Sequence, residues 1–387
     1  MRKLIVYSAQ FMPTYIGIKQ QKKLKKIIYY FLSIPYRMGV SVRHFLYNIG
    51  LIKTHKFDVI IISVGNITVG GTGKTPHVEY IQTMLSKDNK YKVAVVSRGY
   101  KRKSSGFRYV QADSDVENVG DEPLQIKQNC PDAIVAVSEN RPKGIKQVLK
   151  DHPDLDVVLL DDGFQRRDVA KDLDILLIDY SRPIHEDSWL PYGSLRDSKR
   201  RISKANMVIY TKCPDDLKPY SQRILKKYVD ASGTKSVSFT KIAYKKVQAV
   251  FETTKNLNKE PESILVVSGI ATPKPLFEHL GNKFQTTNIT SLQFPDHHNF
   301  TKSDYKRIEA KFNDIKTESK IIITTQKDAV RMLKDKNLPE SLKSSIFMLP
   351  IEIGFVSENG VNEFKNKMLQ YVEENKGNRW LYSKRTK

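Results

Sequence analysis

The segment Asp58-Val-Ile-Ile-Ile-Ser-Val-Gly-Asn-Ile-Thr-Val-Gly-Gly-Thr-Gly-Lys-Thr-Pro76 combines an apolar run with a glycine-rich end. The apolar run is typical of a buried strand, and we expect a helix from about residue 77 to residue 86. Three glycines allow backbone N–H groups to converge on phosphate oxygens, and the N-terminus of the helix adds its dipole. The segment therefore predicts a phosphate-binding loop between a strand and a helix.

The end of this loop contains the candidate nucleotide-binding residues. It departs from the pattern G-x-x-x-x-G-K-[ST], because Thr68 stands where the first glycine is expected. Lys74 is placed to reach the β- and γ-phosphates, and the Thr75 hydroxyl to ligate Mg²⁺. Pro76 suits the first turn of a helix, where its missing N–H costs nothing. A glycine-rich turn without a ligand is the alternative. The candidates are Gly70, Gly71, Thr72, Gly73, Lys74 and Thr75.

A second motif, Val157-Val-Leu-Leu-Asp-Asp162, consists of four apolar residues that end in a pair of carboxylates. It has the form of a Walker B strand. An aspartate at the carboxyl end of such a strand lies beside the phosphate loop in this architecture. Asp161 and Asp162 are therefore candidate Mg²⁺ ligands, although an exposed Asp-Asp-Gly turn would give the same letters.

Short apolar runs alternate with longer helical stretches along most of the chain. This alternation predicts an α/β fold with a mostly parallel sheet and helices on both faces. A length of 387 residues suggests two domains. We place a basic segment at 1–50, a phosphate-loop domain at 51–235, and a smaller α/β domain with a polar tail at 236–387, because the stretch 213–262 is polar and weakly periodic. The predicted strands are 58–64, 93–97, 133–138, 157–161, 174–179, 206–211, 264–268 and 321–325.

The overall charge is strongly positive, with 65 Lys and Arg against 42 Asp and Glu. This balance predicts an anionic partner, such as nucleic acid, a phosphorylated metabolite or anionic lipid. No helix-turn-helix, zinc-finger or RNA-binding sheet motif occurs, so we expect no nucleic acid. Cys130 and Cys213 lack paired spacing, which fits a reducing cytoplasm and excludes a disulfide framework or a thiolate zinc site.

The region 19–50 has the pattern of a basic amphipathic helix. A first apolar stripe ends before Pro35, which we expect to interrupt the helix, and a second stripe follows it. Such a segment can lie on an anionic membrane surface, but a core-packed helix with a solvated lysine face is the alternative. The apolar run 4–7 is too short for a signal peptide, and no stretch of about 18 apolar residues could span a bilayer. The lysines are Lys19, Lys22, Lys23, Lys25 and Lys26, and the stripes are Leu24, Ile27, Ile28, Phe31 and Leu32, then Met38, Val42, Phe45, Leu46 and Ile49.

Eight short motifs follow one another between about residues 33 and 335. This ordered set resembles the tetraacyldisaccharide 4′-kinase family, including the non-glycine at Thr68. The motifs are Ser63–Pro76, Ser97-Arg-Gly-Tyr100, Gly120-Asp-Glu-Pro123, Asp161-Asp-Gly-Phe-Gln165, Leu195-Arg-Asp197, Lys212-Cys-Pro214, Asp296-His297 and Lys327-Asp-Ala-Val330.

The resemblance implies two Rossmann-like α/β/α domains with the active site in the cleft between them. It also implies a peripheral enzyme on the cytoplasmic face of the bacterial inner membrane, with an N-terminal helix on that membrane. Its reaction would use ATP and Mg²⁺ to phosphorylate the 4′-hydroxyl of a tetraacylated glucosamine disaccharide 1-phosphate, a precursor of lipid A. The sequence makes no prediction of oligomeric state.

The resemblance further implies that Asp121 and His297 form a dyad that takes the proton from the sugar hydroxyl. A carboxylate bonded to an imidazole orients the ring and stabilises its charged form. On spacing alone, Asp121 could instead cap a helix, and His297 could be a loop histidine beside His298. Lys74 would act with the dyad on the transferring phosphate.

Further roles follow from the same resemblance. Asp197 stands where the family usually has glutamate, and it is a further candidate metal ligand with a shorter reach. Arg166 stands where the family usually has histidine. The arginines among the substrate candidates could equally belong to a general basic surface. The candidate substrate-binding residues are Arg98, Tyr100, Arg141, Gln165 and Arg196.

The main alternative is a P-loop NTPase of another class, either a GTPase-like switch or a metallochaperone. The run Thr211-Lys-Cys-Pro214 is superficially similar to a guanine-reading box, but it lacks the terminal aspartate. A switch would also not need an Asp–His pair in a second domain.

Overall fold

The fold contains two sheets and eleven α-helices among the residues that this computed structural model describes, 12–253, 260–270, 273–284 and 288–385, with side chains described from residue 26 to residue 376. The strands are β1 Ile60–Gly65, β2 Val93–Ser97, β3 Arg108–Tyr109, β4 Ile134–Val137, β5 Val157–Asp161, β6 Leu173–Asp179, β7 Met207–Thr211, β8 Ser236–Tyr244, β9 Gln248–Ala249, β10 Ser263–Ser268, β11 Asn288–Gln293, β12 Lys320–Thr325, β13 Ile346–Leu349 and β14 Ile351–Phe355. The helices are α1 Met12–Asn48, α2 Lys74–Thr83, α3 Val116–Val119, α4 Asp121–Asn129, α5 Arg141–Asp151, α6 Pro219–Val229, α7 Lys274–Phe284, α8 Lys302–Asn313, α9 Gln326–Met332, α10 Glu340–Lys343 and α11 Glu358–Arg385.

The larger sheet has the strand order β14-β8-β7-β6-β1-β5-β2-β4-β3 and is parallel except for its edge strands β14 and β3. Strand β1 lies between β5 and β6, and Val64 pairs with Asp161. The carboxyl ends of parallel strands meet at one edge of a sheet. The loop after β1 and the carboxylate at the end of β5 therefore lie side by side.

The smaller sheet has the order β11-β10-β12-β13-β9, and only β9 runs antiparallel. The predicted α/β class is confirmed, and each of the eight predicted strands overlaps an observed one. The division at 50 and 235 remains a proposal. Strands β8 and β14 join the larger sheet, and α11 packs Phe364 and Met368 into its core, although all three elements follow residue 235.

Helix α1 is continuous across Pro35, so the predicted interruption is wrong. A proline inside a helix costs about 3 kcal/mol, but tertiary bonds hold the second half of α1 against the loop that follows β5. Arg43 donates to the Gln165 carbonyl at 3.0 Å, and Arg167 donates to the His44 carbonyl at 3.0 Å. Of the predicted lysine face, only the Lys26 side chain lies within the described residues. None of the described helices has an apolar stretch long enough to cross a bilayer.

Candidate active site

The loop between β1 and α2 has the backbone of an anion-binding turn. Gly70 has φ 94° and Gly73 has φ 81°, in the left-handed region that favours glycine. Asn66 donates from Nδ2 to Thr72 Oγ1 at 2.8 Å and ties the two ends of the turn together. Helix α2 begins at Lys74, three residues earlier than predicted, and no side chain caps it at Gly73. The N–H groups of its first turn are therefore available to an anion.

Asp161 ends strand β5 as a buried carboxylate, only 1% exposed. Ser97 donates to Oδ2 at 3.2 Å, whereas Oδ1 has no hydrogen-bond partner among the described residues. Burial raises the pKa of Asp161 to about 7, and the negative charges of Glu122 and Asp162 add to this effect. A cation beside Oδ1 would give this oxygen a partner and would offset the repulsion among the three carboxylates.

Asp162 has the opposite electrostatic environment. Its backbone has φ 51°, which aspartate tolerates, and this geometry turns the carboxylate toward two cations. Lys74 Nζ lies 3.8 Å from Oδ1, and Arg196 Nη2 lies 3.1 Å from the same atom. Burial by itself raises the pKa of Asp162, but Lys74 and Arg196 outweigh burial and lower it.

These side chains fit Mg²⁺ better than a metal with an all-protein cage. Among the described residues, no three His, Cys, Asp or Glu side chains converge on one point. Mg²⁺ is usually held by one or two carboxylates together with waters and substrate phosphates. The unpartnered Asp161 Oδ1 and the buried Thr75 side chain supply this small set of oxygen ligands.

Asp121 and His297 lie in segments that follow strands of different sheets, and their side chains are in contact. Asp121 is the first residue of α4, and His297, with φ 57°, lies in the loop after β11. His297 Nδ1 is 3.0 Å from Asp121 Oδ2, and Lys327 Nζ is 2.8 Å from His297 Nε2. The assignment that satisfies both bonds is Nδ1–H donating to the carboxylate and Nε2 accepting from the lysine.

Two cations from α9 surround this pair. Arg331 donates from Nε to Asp121 Oδ2 at 3.1 Å, and its Nη1 donates to Asp328 at 2.7 Å. Burial by itself raises the pKa of Asp121, but His297, Lys327 and Arg331 outweigh it and hold that pKa far below its usual range. The carboxylate is therefore ionised at neutral pH.

His298 has a separate structural position. Its Nε2 lies 2.9 Å from Asp304, the residue that completes the capping box of α8, and its ring stacks on Phe294. Of the two neighbouring histidines that the sequence could not separate, only His297 contacts Asp121.

The predicted substrate residues fall into two groups. Arg98 and Tyr100 are exposed, and the Tyr100 ring lies 5.2 Å from the His297 ring. Gln165 donates to the Asn66 carbonyl at 3.2 Å beside the phosphate loop, and Arg196 binds Asn66 and Asp162. Tyr100 therefore adjoins the dyad, and Gln165 and Arg196 lie beside the phosphate loop.

Arg141 differs from the other four because it is 3% exposed. It donates to the carbonyls of Ser138 and Asp161 at 2.9 and 2.8 Å, and burial lowers its pKa to about 10. These bonds join Arg141 to the backbone at the ends of β4 and β5. We propose that Arg141 positions the end of β5, in place of the direct substrate contact that the resemblance implied.

Asp197, the predicted further metal ligand, is bound by helix α1. His44 donates from Nε2 to Asp197 Oδ1 at 2.7 Å, and the Ser198 N–H donates to the same oxygen at 2.7 Å. Arg201 Nε lies 3.8 Å from Oδ2. In this conformation Asp197 joins α1 to the loop that carries Arg196. Arg166, the other departure from the family pattern, pairs with Asp168.

A cavity of about 230 Å³ lies between the phosphate loop and residues of the smaller sheet and its helices. Its polar lining includes the loop residues, Lys327, and two neighbours of the dyad, Glu122 and Asp296. Its apolar lining residues include Ile242, Leu276, Leu349, Ile351 and Ile353. Neither Lys327 nor Arg331 was predicted as a site residue. The motif Lys327–Val330 was the available signal, but letters in a row do not show that α9 faces α4.

Comparisons with known proteins agree over most of the chain. The family model described as LpxK, tetraacyldisaccharide-1-P 4′-kinase, matches residues 25–371. The chain is 42% identical over 363 residues to a tetraacyldisaccharide 4′-kinase of Phocaeicola vulgatus, covering 92% of this chain and 97% of that protein. It is 42% identical over 353 residues to the corresponding protein of Flavobacterium johnsoniae, covering 91% and 98%. A crystal structure of "apo" form LpxK from Aquifex aeolicus in complex with ATP matches with a TM-score of 0.66 and 26% identity, covering 88% of this chain and 97% of that one.

Proposed function

The chain belongs to the tetraacyldisaccharide 4′-kinase family, and we propose that it transfers the γ-phosphate of ATP to the 4′-hydroxyl of the tetraacyl glucosamine disaccharide 1-phosphate precursor of lipid A. The observation that carries this proposal is a single cavity lined both by the phosphate loop and by neighbours of the Asp121–His297 pair. Membership in the kinase family does not favour the alternative of a GTPase-like switch or a metallochaperone.

The phosphate loop would hold the polyphosphate of ATP. The amides of Gly70–Gly73 and the first turn of α2 supply N–H donors, and Lys74 supplies a positive charge. Lys74 is close to Asp162, so its ammonium is oriented before the nucleotide arrives. The apolar lining residues of the cavity would accommodate the base.

Thr75 and Asp161, with Asp162 in support, would hold Mg²⁺. When bound, the ion neutralises charge on the β- and γ-phosphate oxygens. Asp161 suits this role because its Oδ1 has no partner among the described residues and because its carboxylate is costly to ionise without a cation. Asp197 would have to release His44 before it could reach the metal.

The Asp121–His297 pair would remove the proton of the 4′-hydroxyl. His297 Nε2 carries the lone pair of the assigned tautomer, so it is the atom that accepts the proton once Lys327 has released it. The ionised Asp121 carboxylate stabilises the resulting imidazolium through Nδ1–H. Lys327 now donates to Nε2 and must move aside, and Glu122, 3.3 Å from its Nζ, offers an alternative partner.

The acyl chains of the substrate place the reaction at a membrane surface. Helix α1 exposes an apolar stripe at helical spacing, and its most exposed members, Phe31 and Met38, are 63% exposed. Such a stripe beside basic residues fits binding to an anionic membrane. We propose a peripheral location on the cytoplasmic face of the bacterial inner membrane. The stripe is Ile27, Phe31, Ile34, Met38, Val42, Phe45 and Ile49.

Phosphate transfer from labelled ATP to a detergent-dispersed tetraacyl disaccharide 1-phosphate tests this function. We expect transfer with Mg²⁺ and none after chelation. The label should appear at the 4′-position of the disaccharide. A disaccharide whose 4′-hydroxyl is already phosphorylated should not be labelled. Nucleotide hydrolysis without transfer to the lipid, or a preference for GTP, would support the alternative class.

A further inference from the structure

Two cations outside the predicted site bind carbonyl groups of the phosphate loop. Lys212, at the end of β7, donates from Nζ to the Gly71 carbonyl. Arg182, in the loop after β6, donates from Nη1 to the Val69 carbonyl at 3.2 Å. The two carbonyls lie on either side of Gly70, in the part of the loop that is richest in glycine.

Asp179 holds both cations in place. It is the last residue of β6 and is 4% exposed. Its Oδ2 lies 2.8 Å from Lys212 Nζ and 3.4 Å from Arg182 Nη2, while Ser181 donates to Oδ1 from both its N–H and its hydroxyl. Burial by itself raises the pKa of Asp179, but Lys212 and the hydrogen bonds outweigh it and lower it. The carboxylate therefore stays ionised.

Because a peptide unit is planar and trans, its C=O and N–H groups point in opposite directions. Val69 shares a peptide unit with the Gly70 nitrogen, and Gly71 shares one with the Thr72 nitrogen. Binding the two carbonyls therefore directs two N–H groups away from the cations. These are the N–H groups of Gly70 and Thr72, which belong to the candidate nucleotide-binding residues.

We infer that Asp179, Arg182 and Lys212 form a positioning cluster that orients the phosphate-loop amides toward the polyphosphate of the nucleotide. The inference rests on the proposed binding of ATP. Glycine has more backbone freedom than any other residue, so a loop of this composition needs external bonds to keep one conformation. The strained φ of 56° at Lys212 is consistent with a side chain held at one point by its partners.

The geometry also accounts for Gly70. Its φ of 94° disfavours other residues, and a Cβ there would stand 3.1 Å from Arg182 Nη1. A side chain at this position would therefore strain the loop and push the Arg182 guanidinium aside by a few tenths of an ångström. Motif matching could not show this arrangement, because Asp179 and Arg182 lie in none of the motifs that resemble the family.

The test compares equilibrium binding of MgATP and of adenosine to the full-length protein. We expect Lys212→Met to weaken MgATP binding about ten-fold, since a charge-assisted hydrogen bond to the loop is lost, and to leave adenosine binding unchanged. Lys212→Arg should recover most of the affinity. The matched control is Lys235→Met, because Lys235 also donates to two backbone carbonyls but lies away from the loop. It should bind both ligands like the wild-type protein.

A double-mutant cycle separates positioning from direct contact with phosphate. If Lys212 acts through the loop, Asp179→Asn should weaken MgATP binding as Lys212→Met does, and the double variant should be no weaker than either. If Lys212 binds phosphate directly, Asp179→Asn frees the lysine, and unchanged or tighter binding would overturn the inference. Arg182→Met, at a largely exposed side chain, gives a second test with an expected loss of about three-fold, and unchanged binding there would remove Arg182 from the cluster.

The outcomes also distinguish this inference from the proposed function. A wild-type protein that does not bind MgATP would contradict the kinase assignment itself. A wild-type protein that binds MgATP, together with a Lys212→Met variant that binds it equally well, would contradict only the positioning cluster. Equal losses for MgATP and adenosine would show a general disturbance of the cavity and would also reject it.

Discussion

Replacing Asp161 with asparagine should stabilise the ligand-free protein while abolishing its kinase activity. The carboxylate is buried beside Glu122 and Asp162, which raises its pKa from 3.8 to about 7. Because the folded-state pKa lies above the unfolded one, the cost of ionising Asp161 is absent at low pH. It grows as the pH rises from about 4 to about 7, and it is complete above that range.

The size of this effect follows from the pKa shift. A shift of this size corresponds to at most about 4 kcal/mol at pH 8. Relaxation of neighbouring dipoles and entry of water reduce it, so we expect about 1–3 kcal/mol. Asparagine keeps an oxygen that accepts from Ser97, and its amide NH2 stands where Oδ1 has no hydrogen-bond partner among the described residues. The gain should fall to about half at pH 5.5.

Thermal unfolding at pH 8 and pH 5.5, with and without Mg²⁺ and ATP, measures this prediction. The wild-type protein should be stabilised by MgATP, whereas Asp161→Asn should start from a higher midpoint and gain little. Asp162→Asn is the matched control. Its pKa is lowered by Lys74 and Arg196, so its neutralisation should destabilise the protein at pH 8. A lower midpoint for Asp161→Asn, or full retention of its stabilisation by MgATP, would refute the reasoning.

Three further predictions concern the other parts of the site. Lys74→Ala should abolish phosphate transfer while the protein stays folded, with a small loss of stability because Asp162 loses one of its two cations; retained turnover would reject the phosphate-loop assignment. Asp121→Asn should lower kcat about 10²-fold or more with ATP affinity within two-fold; a matching loss of ATP affinity would make Asp121 a nucleotide-binding residue. Changing Phe31, Met38 and Phe45 together to serine should weaken binding to anionic vesicles at least ten-fold; unchanged partitioning would mean that α1 does not insert. The control for these serines removes exposed apolar surface from α6, at Tyr220, Ile224 and Tyr228.

The sequence predicted the features that depend on local pattern. The alternation of apolar runs with helical stretches indicated the α/β class, because a strand buried on both faces must be apolar along its length. The glycines before Lys74 indicated an anion-binding turn, because left-handed backbone and close approach restrict the residues allowed there. The pairing of Asp121 with His297 came from the family resemblance, and the two side chains lie 3.0 Å apart in the folded chain.

Predictions from local sequence pattern were wrong where contacts with residues distant in sequence stabilise a helix or strand that contains an unfavourable residue or composition. Helix α1 continues through Pro35 because bonds through Arg43 and Arg167 hold its second half against the loop that follows β5. The polar stretch 213–262 contains α6 and β8, and β8 is a strand because it pairs on both sides in the larger sheet.

Roles that depend on direction in space were decided only by the tertiary structure. His297 and His298 are adjacent in sequence, but one faces Asp121 and the other faces Asp304. Arg141 has the chemistry of a phosphate ligand, yet the fold buries it and it donates to the backbone carbonyls of Ser138 and Asp161. The hydrogen-bonding capacity of a side chain is set by its residue type. Its partner is set by which elements the folded sheets bring within about 3 Å, and the residues concerned are often more than a hundred positions apart.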